Sequence, residues 1–123
     1  MAARILLVDD NPMVRRMLRL ILSPSEFTCY EAESGEAALN EACTVEPDLI
    51  ILDFAMPNMS GMEVAPLLHQ LLPSVPIILF TLYAGTILES EARQVGISAV
   101  VSKSDPAGTL LREVQALLQP RYN

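Results

Sequence analysis

The stretch Leu49-Ile50-Ile51-Leu52-Asp53-Phe54-Ala55-Met56-Pro57-Asn58-Met59-Ser60-Gly61 decides how this chain folds. Four consecutive aliphatic residues, 49–52, predict a strand buried on both faces, as in a parallel sheet covered on both sides. Asp53 ends the run where the chain must leave the sheet. Pro57 cannot continue a central strand, and Asn58, Ser60 and Gly61 are turn residues, so a loop leads from Asp53 toward a helix. A carboxylate thus stands at a strand's carboxyl end, on a loop of the kind that tends to carry function.

The pattern recurs on either side. Arg4 is followed by Ile5-Leu6-Leu7-Val8, a second apolar run ended by acid, Asp9-Asp10. Asn11-Pro12 then opens a helix with Val14, Met17, Leu18, Ile21 and Leu22 on its inward face and Arg15, Arg16 and Arg19 largely opposite. A Ser23-Pro24-Ser25 turn stops it, residues 27–32 read as a short strand, and Ser34 caps a helix reaching about Thr44 with Ala37, Ala38, Ala42 and Val45 inward. Beyond the central stretch, Ser60 and Glu63 have the spacing of a capping box. Pro66, some six residues further, predicts a kink or displacement near Met62, and Pro73 and Pro76 bracket the helix end. Ile77-Ile78-Leu79-Phe80 is a third apolar run, closing on Thr81. Residues 82–85 read as a loop, 86–95 as a short helix with Gly96 as C-cap, and 99–102 as a last strand closing on Lys103. Asp105-Pro106 reads as an N-cap and a first-turn proline before a helix lined by Leu110, Leu111, Val114, Leu117 and Leu118.

Five strands alternating with five helices predict an α/β fold, a doubly wound five-stranded parallel sheet in the order 2-1-3-4-5, whose switch point between strands one and three is where such sheets bind ligands. At 123 residues, without repeats or an internal linker, the chain reads as one domain, 1–123. It is either a complete single-domain protein or the N-terminal part of a longer one. No apolar run approaches the roughly 20 residues of a membrane span and the start lacks a secretory signal's apolar core, so the expected location is the cytoplasm. Cys29 and Cys43 share no metal-ligand spacing and read as small buried side chains. A net charge of −7 disfavours direct nucleic-acid binding by this domain, because phosphate contacts need a basic face.

The charge inventory tells more than its sum. Aspartate occurs at 9, 10, 48, 53 and 105, and Lys103 is the only lysine. The predicted order gathers Asp9, Asp10, Asp53, Thr81 and Lys103 from four different strands, each at its strand's carboxyl end. Singly, each has an ordinary explanation as a helix cap, a turn or a solvated loop residue. Jointly those explanations fail, since unrelated caps have no reason to surround one crevice. Three carboxylates there repel one another unless a cation joins them, and a hard divalent ion with oxygen ligands, Mg²⁺, suits such a site.

In the order and spacing of Val8-Asp9-Asp10, the run Leu52-Asp53-Phe54-Ala55-Met56-Pro57-Asn58-Met59-Ser60-Gly61, Thr81 and Lys103, nearly the whole chain resembles a response-regulator receiver domain, the phosphoacceptor domain of two-component signalling. The resemblance implies a flavodoxin-like fold and a switch, not an enzyme acting on external substrates. It implies Asp53 as the phosphoacceptor, taking a phosphoryl group from a sensor histidine kinase, a phosphotransfer protein or a small phosphodonor. It implies Mg²⁺, with Mn²⁺ as a substitute, held by Asp10, Asp53 and the backbone carbonyl of Ala55, with Asp9 acting directly or through water. Thr81 and Lys103 would contact the phosphoryl group, and partner binding would change through the 82–118 face. The implied partners are a downstream effector domain or protein and, through residues 86–118, a second copy.

Several positions depart from the family's pattern. Leu82 follows the Thr where the family usually has a small residue controlling access to the phosphoacceptor. Val100 replaces an aromatic whose inward rotation accompanies activation in many relatives, and Ser104 replaces a common proline after the lysine, which favours a trans bond there. Ala55 and Tyr83 occupy positions that modulate acyl-phosphate lifetime. Leu82, Val100 and Pro66 motivate an alternative, a phosphorylation-independent interaction module. An aspartate-nucleophile phosphohydrolase would want a second aspartate where Ala55 stands, and a flavodoxin-like redox role would set Asp9-Asp10 against a flavin phosphate. His69 reads as a surface residue of the third helix. Met56, Met59 and Met62 read as packing beside Asp53.

Overall fold

The computed structural model describes residues 2–22, 26–87 and 89–119. Strands β1 (Ala3–Val8), β2 (Phe27–Ala32), β3 (Leu49–Leu52), β4 (Ile77–Thr81) and β5 (Ala99–Ser102) alternate with helices α1 (Pro12–Ile21), α2 (Gly35–Val45), α3 (Gly61–Leu71), α4 (Glu89–Gln94) and α5 (Ala107–Leu118). All pairings are parallel and the strand order is β2-β1-β3-β4-β5. This is the predicted doubly wound sheet.

Alternation along each strand divides the core into two layers. Leu6, Val8, Ile50, Leu52, Ile77 and Leu79 pack on one face with Ala38 and Ala42 of α2, Val64 and Leu68 of α3 and Ala92 of α4. Ile5, Leu7, Leu49, Ile51, Ile78 and Phe80 pack on the other with Leu18 of α1 and Leu110 and Val114 of α5. Each apolar run is buried on both faces because each face has its own helices.

Local chemistry sets the helix starts. The Asn11 side chain accepts from the Met13 N–H with Pro12 in the first turn, Ser34 accepts from Ala37, and Ser60 and Glu63 form the expected capping box. Gly96, at φ +94°, ends α4 in the left-handed region.

Some expectations need correction. Met17 is not inward: it is exposed, while Leu18 and Leu22 are buried and Val14 packs against the same layer. The helix predicted over 86–95 is shorter, a 3₁₀ turn at Ala84–Thr86 followed by α4, with Ile87 extended between them. Asp105 does not cap α5. Pro106 holds the N-cap position, and the Asp105 carboxylate instead accepts from the Ser102 N–H at 3.4 Å, closing the turn after β5. Cys29 is half-buried and Cys43 exposed, so the cysteines are not a buried pair. Pro66 lies within α3, which runs unbroken from Gly61 to Leu71 with Val64, Ala65 and Leu68 buried. The 103–104 bond is trans. The Ser23-Pro24-Ser25 turn lies outside the described residues.

Candidate functional site

The register of the sheet brings the site together. Val8 pairs with Leu52, so Asp9 and Asp53 leave neighbouring strands at the same level, and the Asp53 N–H donates to the Val8 carbonyl at 2.9 Å. Across β4, Thr81 pairs with Ser102, and the Lys103 N–H donates to the Thr81 carbonyl at 3.0 Å. Among the described residues the buried polar side chains are Asp9, Asp53 and Thr81. Burying such groups is costly without partners, so their gathering at one sheet edge calls for an explanation beyond stability.

Lys103 supplies part of the partnership. Its Nζ lies 2.9 Å from Asp9 Oδ2 and 3.2 Å from Asp53 Oδ1, bridging two buried carboxylates from β1 and β3. Asp10 is exposed, yet it offers a carboxylate oxygen to a cluster with Asp9 and Asp53 in which the oxygens lie within 4.8 Å of one another. Three carboxylates against one ammonium leave two negative charges uncompensated. That excess matches the charge of a divalent cation, and an all-oxygen set of aspartates suits a hard ion such as Mg²⁺.

The electrostatics agree. Burial, and after it the neighbouring Asp9 carboxylate, push the Asp53 carboxyl above the ordinary carboxylate range, against the opposing pull of Lys103 and the Phe54 N–H. For Lys103, burial favours the neutral amine, but the hydrogen bond and charge of Asp9 and the charge of Asp53 outweigh it, and the ammonium is held above its ordinary value.

Thr81 is fully buried, and its Oγ1 accepts from the Tyr83 N–H at 3.1 Å, which leaves its own proton to give. Tyr83 packs edge-on against Phe54, ring centroids 5.9 Å apart, tying the loop after β4 to the loop after β3. Ala55 is exposed, Leu82 is 67% exposed, and Val100 is half-buried against the layer shared with α2, α3 and α4. Met56 is buried, with Met59 and Met62 packed against the same layer, and His69 is exposed, as expected.

Two residues of the site carry more than their pattern suggested. Gly61, read as a turn residue at the start of the third helix, donates its N–H to the Phe54 carbonyl at 2.8 Å, and a Cβ there would lie 2.3 Å from the Asp53 carbonyl oxygen. The start of α3 therefore sits directly on the Asp53 backbone. Arg15, assigned by helical spacing to an outward face, turns back instead: its Nη1 donates to the Asp9 carbonyl and its Nε to Glu31, both at 2.6 Å.

A family model described as the response regulator receiver domain matches residues 5–115. The chain belongs to this family. The receiver domain is 35% identical to the response regulator TrrA of Thermotoga maritima, solved in complex with Mg²⁺-BeF, with a TM-score of 0.86 over 96% of this chain and 100% of that one. It is 28% identical to the chemotaxis protein CheY4 of Vibrio cholerae, also with a TM-score of 0.86 and the same shares of the two chains. Among curated proteins it is 34% identical to the transcriptional regulatory protein YdfI of Bacillus subtilis, over 95% of this chain but 58% of that protein. The curated relatives it matches are longer than the receiver domain, which spans 33% of a protein-glutamate methylesterase/protein-glutamine glutaminase of Trichodesmium erythraeum. Receiver domains of two-component response regulators are signalling modules whose general function is a phosphorylation-dependent switch. No helix among the described residues is long and apolar enough to cross a membrane.

Proposed function

We propose that this receiver domain accepts a phosphoryl group on Asp53 and reports it by a change in partner binding. The observation that carries the reading is Lys103 Nζ bridging Asp9 and Asp53 at 2.9 and 3.2 Å, beside the three-aspartate cluster. Asp10, Asp53 and the Ala55 backbone carbonyl would hold Mg²⁺, or Mn²⁺ in its place, with Asp9 direct or through water. Bound there, the ion neutralises charge on the phosphoryl oxygens. An oxygen of Asp53 attacks phosphorus in line, its O–P bond forming as the P–N bond of a phosphohistidine on a kinase or phosphotransfer protein breaks and the imidazole leaves with the bonding pair. Lys103 supplies a second positive charge, and the Thr81 hydroxyl donates to a phosphoryl oxygen, drawing residues 82–86 inward. Catalysis is confined to the domain's own phosphoryl transfer and hydrolysis, with Ala55, Leu82 and Tyr83 setting access and lifetime.

Phosphorylation adds nearly two negative charges, which Thr81 and Lys103 contact better in one arrangement of the 82–86 loop than in another. A coupling of about 1–3 kcal/mol would change the affinity of an effector for the 82–118 face roughly 5- to 150-fold, and the same face is the candidate surface for a homodimer. We place the domain, read as one unit over 1–123, in the cytoplasm. Incubation with acetyl phosphate and Mg²⁺ is expected to add the mass of one phosphoryl group to the wild type and none to Asp53→Asn. No gain in the wild type, or an equal gain in the variant, overturns the reading.

Val100, half-buried where many relatives carry a switching aromatic, favours a second reading, an interaction module that signals without phosphorylation. It requires a partner bound equally well by the wild type and by Asp53→Asn.

A further inference from the structure

We infer that Arg15 is a positioning residue for the acidic pocket: its guanidinium grips the carbonyl of the Asp9–Asp10 peptide and so sets the direction in which Asp10 is presented to a divalent cation. The inference rests on the reading of Asp9, Asp10 and Asp53 as a Mg²⁺ pocket and assigns a role to a residue outside it.

Three arginines lie along α1 at positions 15, 16 and 19, and Arg15 is the one drawn in. Its side chain is 14% exposed, against 47% for Arg19. Its Nη1 donates to the Asp9 carbonyl at 2.6 Å while its Nε donates to Glu31 Oε1 at 2.6 Å. Glu31 is fixed in turn: it sits on β2, its other oxygen takes Arg19, and Arg19 Nη2 returns to the Cys29 carbonyl on the same strand at 3.1 Å. The guanidinium is therefore held against the sheet and is mostly shielded from solvent.

Asp9 is held at every polar atom. Its N–H donates to the Ala32 carbonyl at 3.1 Å, Oδ1 accepts from the Asn11 N–H at 2.9 Å, Oδ2 accepts from Lys103, and its carbonyl accepts from Arg15. The Asp9–Asp10 peptide is planar, so fixing that carbonyl fixes the Asp10 N–H and restricts where the Asp10 side chain can point. Asp10 is exposed, and neighbouring packing does little to orient it. A planar guanidinium can serve a carbonyl and a carboxylate at once through separate N–H groups, which the point charge of a lysine does not reproduce.

Charge alone gives the opposite expectation, and this makes the idea testable. A fixed positive group near the pocket repels a divalent cation, so its removal by electrostatics alone tightens Mg²⁺ binding. Loss of positioning weakens it, by about tenfold where outer contacts orient a ligand. Mg²⁺ affinity is measured by titration calorimetry, and the Asp10 amide is followed by NMR, in wild type, Arg15→Ala, Arg15→Lys and the exposed control Arg16→Ala, with circular dichroism confirming each fold. Arg15→Ala is expected to bind about tenfold more weakly, with the metal-free Asp10 amide displaced, while Arg16→Ala binds as tightly as wild type or slightly more so. Arg15→Lys preserves the charge and most of the length, which guards against simple misfolding; it too is expected to bind more weakly. Affinity equal to or above wild type in the folded Arg15 variants overturns the positioning role while leaving the pocket intact. A wild type that does not bind Mg²⁺ overturns the pocket and this inference with it.

Discussion

Asp53 is a carboxylate kept where its own ionisation is resisted, first by burial and then by Asp9. Its folded-state affinity for a proton exceeds that in the unfolded chain, so proton binding favours folding. The stability this group allows is fully present below the ordinary carboxylate range and is lost as pH rises through the raised value. In chelator, Asp53→Asn removes the resisted charge while Lys103 keeps its 2.9 Å bond to Asp9. The variant is expected to be more stable than wild type at pH 7 by about 0.5–2 kcal/mol, the usual size of a single stabilising substitution. That gain should fade as pH falls through the raised value and be absent below the ordinary carboxylate range, where the wild-type carboxyl is protonated in both folded and unfolded states. Urea midpoints at pH 7 and pH 4 measure it, and a variant less stable than wild type at pH 7 contradicts it. Asp53 and Lys103 were legible in the sequence because each closes an apolar run, where a polar residue has to be at a strand end. Arg15 was not, because its partner is a main-chain carbonyl that has no sequence signature, and helical spacing grouped it with the exposed Arg16.

At the level of elements, β1, β3 and β4 were read well because a run of aliphatic residues between polar ends has few alternatives, and β2, β3 and β5 have their predicted bounds. The stretch before Gly96 was read less well. Its apolar residues do not distinguish a continuous helix from a 3₁₀ turn at Ala84–Thr86, an extended Ile87 and a short α4. The junction of the β3 loop with α3 shows what composition conceals. Gly61 looks like ordinary turn chemistry, yet the capping box of Ser60 and Glu63 points α3 back onto the strand end, where a Cβ would meet the Asp53 carbonyl oxygen at 2.3 Å and Leu79 at 3.0 Å. The oxygen belongs to the backbone and cannot rotate away, so the whole α3 start must shift. Gly61→Ala is expected to destabilise by about 1–3 kcal/mol, as overpacking commonly does, and to slow phosphorylation by acetyl phosphate because the same shift moves Asp53. A denaturation midpoint and phosphorylation rate matching wild type would mean that the loop absorbs the methyl group freely.

Across the whole molecule, the two core layers are complete without the site. Apolar side chains fill both faces of the sheet, and the acids sit at its carboxyl edge, where β1 and β3 meet and helices leave in opposite directions. Strands from far apart in the chain are needed to gather Asp9, Asp53 and Lys103, so the charge crowding exists only in the folded state. The unfolded chain spreads these residues over nearly its full length and has no equivalent pocket. A cation that binds the crowded acids therefore binds the native state alone and must stabilise it by mass action. At a Mg²⁺ concentration about ten times its Kd, the stabilisation is about 1.4 kcal/mol, which for a domain of this size raises Tm by roughly 5 °C. Asp10→Asn removes the exposed member of the acid cluster without disturbing the Lys103 bridge. It is expected to fold at least as stably as wild type in chelator and to lose most of the response to Mg²⁺. Thermal scans with and without Mg²⁺ separate these cases: a wild-type Tm indifferent to the ion, or an Asp10→Asn response as large as wild type, would show that the excess negative charge at the sheet edge is not compensated by a cation held there.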